Sequence, residues 1–156
     1  MTLNILALFC EDIREEMGGV LSLIGVIPDN VNVSNLPNEA SSIPPKIDIG
    51  AKVLSKLCVF VRINFDPEYE LPEGKLRLVL PNDEKIELGN IDSATIKKAQ
   101  REAKEKGNPL AGVISRAVLG GFRIPKLGVL KLEAVFGGEV HIAGAINFQS
   151  MSPSST

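Results

Sequence analysis

The stretch VLSKLCVFVRINF, residues 53–65, constrains this chain most. Its odd positions are Val53, Ser55, Leu57, Val59, Val61, Ile63 and Phe65, and all but Ser55 are apolar. Its even positions, Leu54, Lys56, Cys58, Phe60, Arg62 and Asn64, are mixed. Successive side chains of a strand point to opposite faces, so alternation of this length means a strand with one face in a core. The second face needs partial cover, because leaving Leu54, Cys58 and Phe60 wet forfeits ~1.5–3 kcal/mol each. A helix or another subunit is expected to supply it.

The same period recurs along the chain. In KLRLVLPNDEKIEL, Leu76, Leu78 and Leu80 share a face, Ile86 and Leu88 follow, and Pro81-Asn82-Asp83 is turn chemistry. In LGVLKLEAVFGGEVHIAGAINF, Leu130, Leu132, Ala134 and Phe136 alternate with Val129, Lys131, Glu133 and Val135. Gly137-Gly138 then makes a two-residue turn, where both residues can take positive φ. The return strand is expected to place Val140, Ile142, Gly144, Ile146 and Phe148 on one face, with His141 opposite. Residues 3–13 and 20–27 read as an opening hairpin turning at Gly18-Gly19.

Two regions break the period. Residues 34–45, with Pro37, Pro44 and Pro45, read as a long connection in which the chain changes sheets. Residues 93–106, SATIKKAQREAKEK, are rich in helix formers. Ser93 is expected to cap this helix and Gly107 and Pro109 to end it. Its apolar stripe, Ile96, Ala99 and Ala103, is narrow, so it lies on the surface. A return to strand follows at 110–120, bending at Gly120-Gly121.

The sum is an all-β fold: an antiparallel β-sandwich of about 7–9 strands with one inserted surface helix, a small barrel being the runner-up. One domain is expected over residues 1–149, and a flexible tail over 150–156.

Composition excludes several functions. Across 156 residues the net charge is −2, without the basic surplus of a general nucleic-acid binder. With no Trp and one Tyr, a stacking platform for single strands is also excluded. No stretch approaches the ~20 apolar residues of a membrane span. The opening MTLNILALFCEDIREE lacks the basic start and cleavage site of a secretory signal, so a cytoplasmic chain is expected. Cys10 and Cys58 belong to no C-x-x-C pair and read as small buried hydrophobes.

ALFCEDIREEMGGVLSLIGV, KLCVFVRINF, VLPNDEKI and FRIPKLGVLKLEAVFGGEVHIAGAINF together resemble a group of uncharacterised bacterial and phage-associated β-sandwich domains, a family of unknown function. The shared features are an apolar strand ending in Cys and an acidic residue, a Gly turn, an L-S-L-I-G-V strand and a closing hairpin entered through P-x-x-G. The helix and the Pro44-Pro45 connection depart from the group. The resemblance implies the sandwich and carries over no catalytic residue.

Candidate chemistry is sparse. The packet Glu11, Asp12, Arg14, Glu15 and Glu16 separates the two opening apolar runs. Glu15 and Glu16 read as solvated turn residues. Glu11 or Asp12 is expected to form a structural charge pair with Arg62, the charge well inside the long strand, since a guanidinium there needs an acceptor. A dispersed ligand site would draw on Glu11, Asp12, Arg14, Arg62, Arg116, Arg123 and His141. A calcium site would draw on Asp29, Asp66 and Glu68, although no spacing supports one. His141 is the only histidine, reads as solvated, and has no partner ligands near in sequence. GNPLAGVISRAVLGG lacks the G-K-[ST] that grips phosphates, and no serine sits in G-x-S-x-G. No cofactor is expected. The function expected is therefore non-enzymatic: contact with a protein partner or a second copy, as in a phage-associated or assembly component. A small-ligand protein or enzyme, or a calcium- or lipid-binding sandwich, is the alternative.

Overall fold

The structure is a computed structural model and describes residues 2–34, 46–49 and 52–150. Eleven strands, one α-helix and a short 3-10 turn at Met17–Gly19 are found among the described residues. The strands and the α-helix are, in order, β1 (Leu3–Glu15), β2 (Leu21–Val26), β3 (Asn30–Ser34), β4 (Lys46–Ile49), β5 (Lys52–Val53), β6 (Lys56–Phe65), β7 (Gly74–Val79), β8 (Lys85–Ile91), α1 (Ser93–Lys106), β9 (Ala111–Gly120), β10 (Gly128–Phe136) and β11 (Glu139–Ser150). A four-stranded sheet runs β2-β1-β6-β9, and a seven-stranded sheet runs β5-β4-β3-β11-β10-β7-β8.

The two sheets bury one apolar cluster between them, which is the expected sandwich. Phe9, Val59, Val61, Ile63 and Phe65 come from the four-stranded sheet, and Leu76, Leu78, Leu130, Leu132, Ile146 and Phe148 from the seven-stranded one. The layers approach closely at Gly144, where a Cβ would lie 2.8 Å from the carbonyl oxygen of Ala7.

Several expectations are corrected. The strands exceed 7–9 because the short β3, β4 and β5 extend the larger sheet. The sandwich is not wholly antiparallel, since β3 and β11 pair parallel. Residues 53–65 are not one strand: β5 ends at Val53 in one sheet and β6 begins at Lys56 in the other. The chain thus changes sheets at Leu54-Ser55 and again at 27–29, between β2 and β3. Residues 35–45 lie outside the described ones, but the strands flanking them, β3 and β4, pair in the same sheet. The expected C-terminal tail also lies, beyond Ser150, outside the described residues.

Helix α1 matches its expected bounds and buries Ile96, Ala99 and Ala103. Its cap is Asp92, whose carboxylate accepts from the Thr95 N–H at 2.8 Å, and not Ser93. A carboxylate serves well there because it also meets the positive end of the helix dipole. Gly107 ends the helix at φ 68°, the left-handed conformation in which glycine carries no Cβ penalty. The chain leaves β8, an edge of the larger sheet, and α1 delivers it to β9, an edge of the smaller. Gln100 donates to the Tyr69 carbonyl and Lys104 pairs with Glu68, which ties the helix to the loop after β6.

Strand β11 carries the largest departure from simple alternation. Leu132 pairs with Gly144 but Glu133 with Ile142, so Ala143 is an extra residue, a β-bulge. A bulge shifts the alternation by one. Ile146 and Phe148 are buried as expected, whereas Val140 and Ile142 turn outward and His141 turns inward.

Candidate functional site

The opening charge packet sits where β1 passes from β6 to β2. Residues 3–10 of β1 pair with β6 as far as Cys10 opposite Cys58, and residues 10–15 pair with β2. Arg116 on β9 stands opposite Phe60, and Phe60 opposite Leu8. Yet Arg116 donates to Glu15 Oε2 at 2.8 Å. A straight strand rising ~3.3 Å per residue would carry Glu15 ~23 Å past Leu8, beyond the reach of both side chains. Strand β1 therefore curls beyond Cys10 and leans over the outer face of its own sheet. The Glu11 carbonyl comes to 3.6 Å from Cys58 Sγ. Gly25 permits the curl: its φ is 65°, and a Cβ there would collide with the Glu11 carboxylate.

This curl supplies the cover that the sequence demanded for Cys58, in place of the expected helix or second subunit. Cys10 and Cys58 are both buried, free thiols. Burial pushes the Cys10 thiol up to about 11, with the neighbouring Cys58 adding to the effect, and burial raises Cys58 as well. Neither is poised as a nucleophile, since the thiolate is the reactive form.

The expected charge pair with Arg62 does not form. Asp12 instead accepts from Lys56 Nζ at 2.8 Å and from Arg14 Nε at 3.3 Å. The Lys56 and Arg14 contacts, in that order, hold the Asp12 carboxyl below its usual range, and Asp12 raises Lys56 in return. The physical reason is register. Lys56 lies at the end of β6 that faces the curl, whereas Arg62 stands opposite Leu6 and Ile114. Glu15, expected to be a solvated turn residue, is the partner of Arg116.

The remaining candidates are scattered. Glu11, Asp12, Arg14, Arg62 and Arg116 belong to the four-stranded sheet, His141 to the other, and Arg123 to the connection after β9. His141 is not simply solvated: its Nε2 is buried without a hydrogen-bond partner, 3.9 Å from Glu139 Oε2. Asp66 closes its own turn by accepting from the Glu68 N–H, Glu68 pairs with Lys104, and the Asp29 carbonyl accepts from Asn147. Among the described residues no group of three or more His, Cys, Asp or Glu side chains is placed to hold a metal ion. A cleft of about 490 Å³ lies between the start of β7, the end of β8 and the Gly137-Gly138 turn. Two of its carboxylates already serve the helix: Asp92 caps it, and Glu73 accepts from the Ser93 N–H.

What the structure does bring together is apolar. On the outer face of the four-stranded sheet, Leu8 and Phe60 lie side by side and half-buried. Around them are Leu6 (48% exposed), Val26 (52%), Ile114 (55%) and Val118 (61%). The register sets Leu6, Arg62 and Ile114 in one row and Leu8, Phe60 and Arg116 in the next, which makes Leu6, Leu8, Phe60 and Ile114 neighbours with Val118 at their border; in the third row the buried Cys10 and Cys58, beneath the curl, separate Val26 from Val118. Exposed contiguous apolar surface of this kind marks contact sites, whereas scattered apolar residues do not. Sequence reasoning missed it, although AGVISRAVLG holds the clue: its even positions include Ile114 and Val118.

Among the described residues, no helix is long and apolar enough to cross a membrane. No protein-family model, curated protein or solved structure matches the chain.

Proposed function

We propose that this protein works without catalysis, by binding another protein through the outer face of its four-stranded sheet. The resemblance in its hairpins supports reading it as a phage-associated or assembly component, and we take the cytoplasm as its compartment. The observation that carries the reading is the register-matched patch of Leu6, Leu8, Phe60, Ile114 and Val118. Apolar and aromatic side chains beside arginine, as with Phe60 next to Arg116 and Leu6 next to Arg62, are the composition of interface centres.

The test is affinity capture with mass spectrometry, followed by titration of the captured protein. Leu6→Glu combined with Ile114→Glu should weaken it by at least about thirtyfold, the loss of a hot spot worth ~2 kcal/mol. Val140→Glu with Ile142→Glu, on the other sheet, should leave it unchanged. Equal loss from both pairs, or loss only from the second, sinks the proposal. Light scattering of the chain alone separates a foreign partner from a second copy.

A further inference from the structure

The sheet edges differ in a way that bears on how a partner docks. A free strand edge presents unpaired N–H and C=O groups, and proteins protect such edges with charge, bulges or shortness. Three edges here are protected. Strand β5 has two residues. Strand β2 has six and is bent at Gly25. Strand β8 carries exposed Lys85 and Glu87 and a bulge at Leu88, because Leu76 pairs with Gly89 but Arg77 with Glu87. Strand β9 has neither shortness nor a bulge: its one charge, Arg116, is already paired with Glu15, and α1 packs against it. Its ten residues pair with β6 without a break, from Gly120 opposite Lys56 to Ala111 opposite Phe65. Its other edge has no strand neighbour, and no backbone hydrogen bond reaches it among the described residues. Its outward side chains include Ile114 and Val118.

Charge says what kind of segment fits. The face beside β9 carries Arg14, Lys56, Arg62 and Arg116 against Asp12 and Glu15, although the whole chain is at −2. The Arg62 guanidinium and the Lys106 ammonium have no ion pair or side-chain hydrogen bond among the described residues. Both line a cleft of about 250 Å³ at the start of β9, with Asn64, Glu102, Asn108 and Gly112. Two cations against one carboxylate leave the cleft short of negative charge. A second copy fits poorly: antiparallel pairing that matches Ile114 with Val118 would set Arg116 against its own copy.

We infer that β9 accepts an added strand from the partner: an extended segment with β-branched residues along Ile114 and Val118, and carboxylates at the end lying beside Gly112, where they meet Arg62 and Lys106. This deepens the contact reading above and rests on it. Strand addition draws affinity from main-chain hydrogen bonds and specificity from alternate side chains and their charges.

The probe is a synthetic peptide of about ten alternating valine and threonine residues with two glutamates at one end, enough to match a strand of this length. A control peptide carries lysines in their place. Amide hydrogen exchange is measured residue by residue on the intact chain. The glutamate peptide should slow exchange in β9 by at least about tenfold, and leave β2 and β8 unchanged. The lysine peptide should bind at least about tenfold more weakly, as should the glutamate peptide to R62M/K106M. Ile114→Lys with Val118→Lys should abolish the protection while the unfolding midpoint holds. The inference is overturned by no protection at millimolar peptide, or by equal protection from the lysine peptide. Protection that grows with protein concentration alone would make the occupant a second copy. Protection by anionic vesicles alone would make it a membrane surface. If Leu6→Glu/Ile114→Glu abolishes partner capture while bound partner leaves β9 exchange unchanged, strand addition fails and the contact reading stands. If neither capture nor protection occurs, both fail.

Discussion

The outer faces of the two sheets solve the same problem in opposite ways. On the seven-stranded sheet, polar side chains find each other across strands. Arg77 and Glu133 pair at 2.7 Å, Asn147 donates to Asn30, and Gln149 donates to Asn32. Two exposed apolar residues there stand next to polar groups, Ile142 opposite Glu133 and Val129 opposite Asn147, while Val140 is opposite Val135. On the four-stranded sheet, the ion pairs gather at the curl, Asp12 with Lys56 and Arg116 with Glu15, and apolar side chains are left contiguous. The first face is finished in the isolated chain. The second is finished only at one end, where β1 folds back over Cys10 and Cys58.

The largest effect should come from the finished face. The Arg77 and Glu133 side chains are 20% and 13% exposed, and their pair sits beside both β-bulges. Glu133→Ala leaves a half-buried guanidinium without its acceptor. Its cost should fall between the ~0–1 kcal/mol of an exposed pair and the ~3–5 of a buried one, so roughly 2–3 kcal/mol in denaturant unfolding. A loss below about 0.5 kcal/mol would make the contrast between faces one of appearance only.

A smaller effect sharpens the boundary within the other face. Because burial raises the Cys10 thiol from 9.0 to about 11, the folded chain holds that proton more tightly than the unfolded one. The associated stability is fully present below pH 9 and is lost as pH climbs toward about 11. Thiolate absorbance should therefore appear late in an alkaline titration, and Cys10→Ala should flatten the alkaline fall in stability. Thiols that titrate at their ordinary value would mean that the curl does not close over them.

The smallest effect should be the most telling. Leu6→Thr and Ile114→Thr remove apolar surface that the isolated chain leaves wet. Stability by thermal unfolding should stay within about 0.5 kcal/mol of the parent. A larger loss would show these side chains packed in solution, and the patch would then belong to the fold.

Much of the fold was legible because its strands are long and strictly alternating. Val59, Val61, Ile63 and Phe65 are buried as their spacing requires, and Gly137 and Gly138 take positive φ, 57° and 82°. Helix α1 was legible to its last residue, since propensity, stripe and stop signals agree. The misses share a cause: they are non-local. The bulge at Ala143 is set by the partner strand, so nothing within GEVHIAGAINF marks it except Gly144, whose missing Cβ admits Ala7 from the opposite sheet. Lys56 could not be chosen over Arg62 as the partner of Asp12 without the register of β1 against β6. The curl that unites Glu15 with Arg116 depends on a positive φ at Gly25, which the sequence permits but does not demand. The apolar patch is split among β1, β6 and β9, so it exists only once the strands are ordered.

Strand order also has a consequence for how the molecule is made. Strand β11 is the last of the described strands to leave the ribosome, yet it occupies the middle of the seven-stranded sheet, joining β3 on one side to β10 on the other. Until it emerges, β3-β4-β5 and β10-β7-β8 are two separate half-sheets without a shared hydrogen bond. Vectorial synthesis therefore yields fragments carrying open edges and uncovered inner faces, the features that invite aggregation of nascent chains. The parallel pairing of β3 with β11 closes a loop of more than a hundred residues, an entropic cost met late and all at once. A ribosome stalled just before β11 should hold a chain that is still protease-sensitive throughout this sheet.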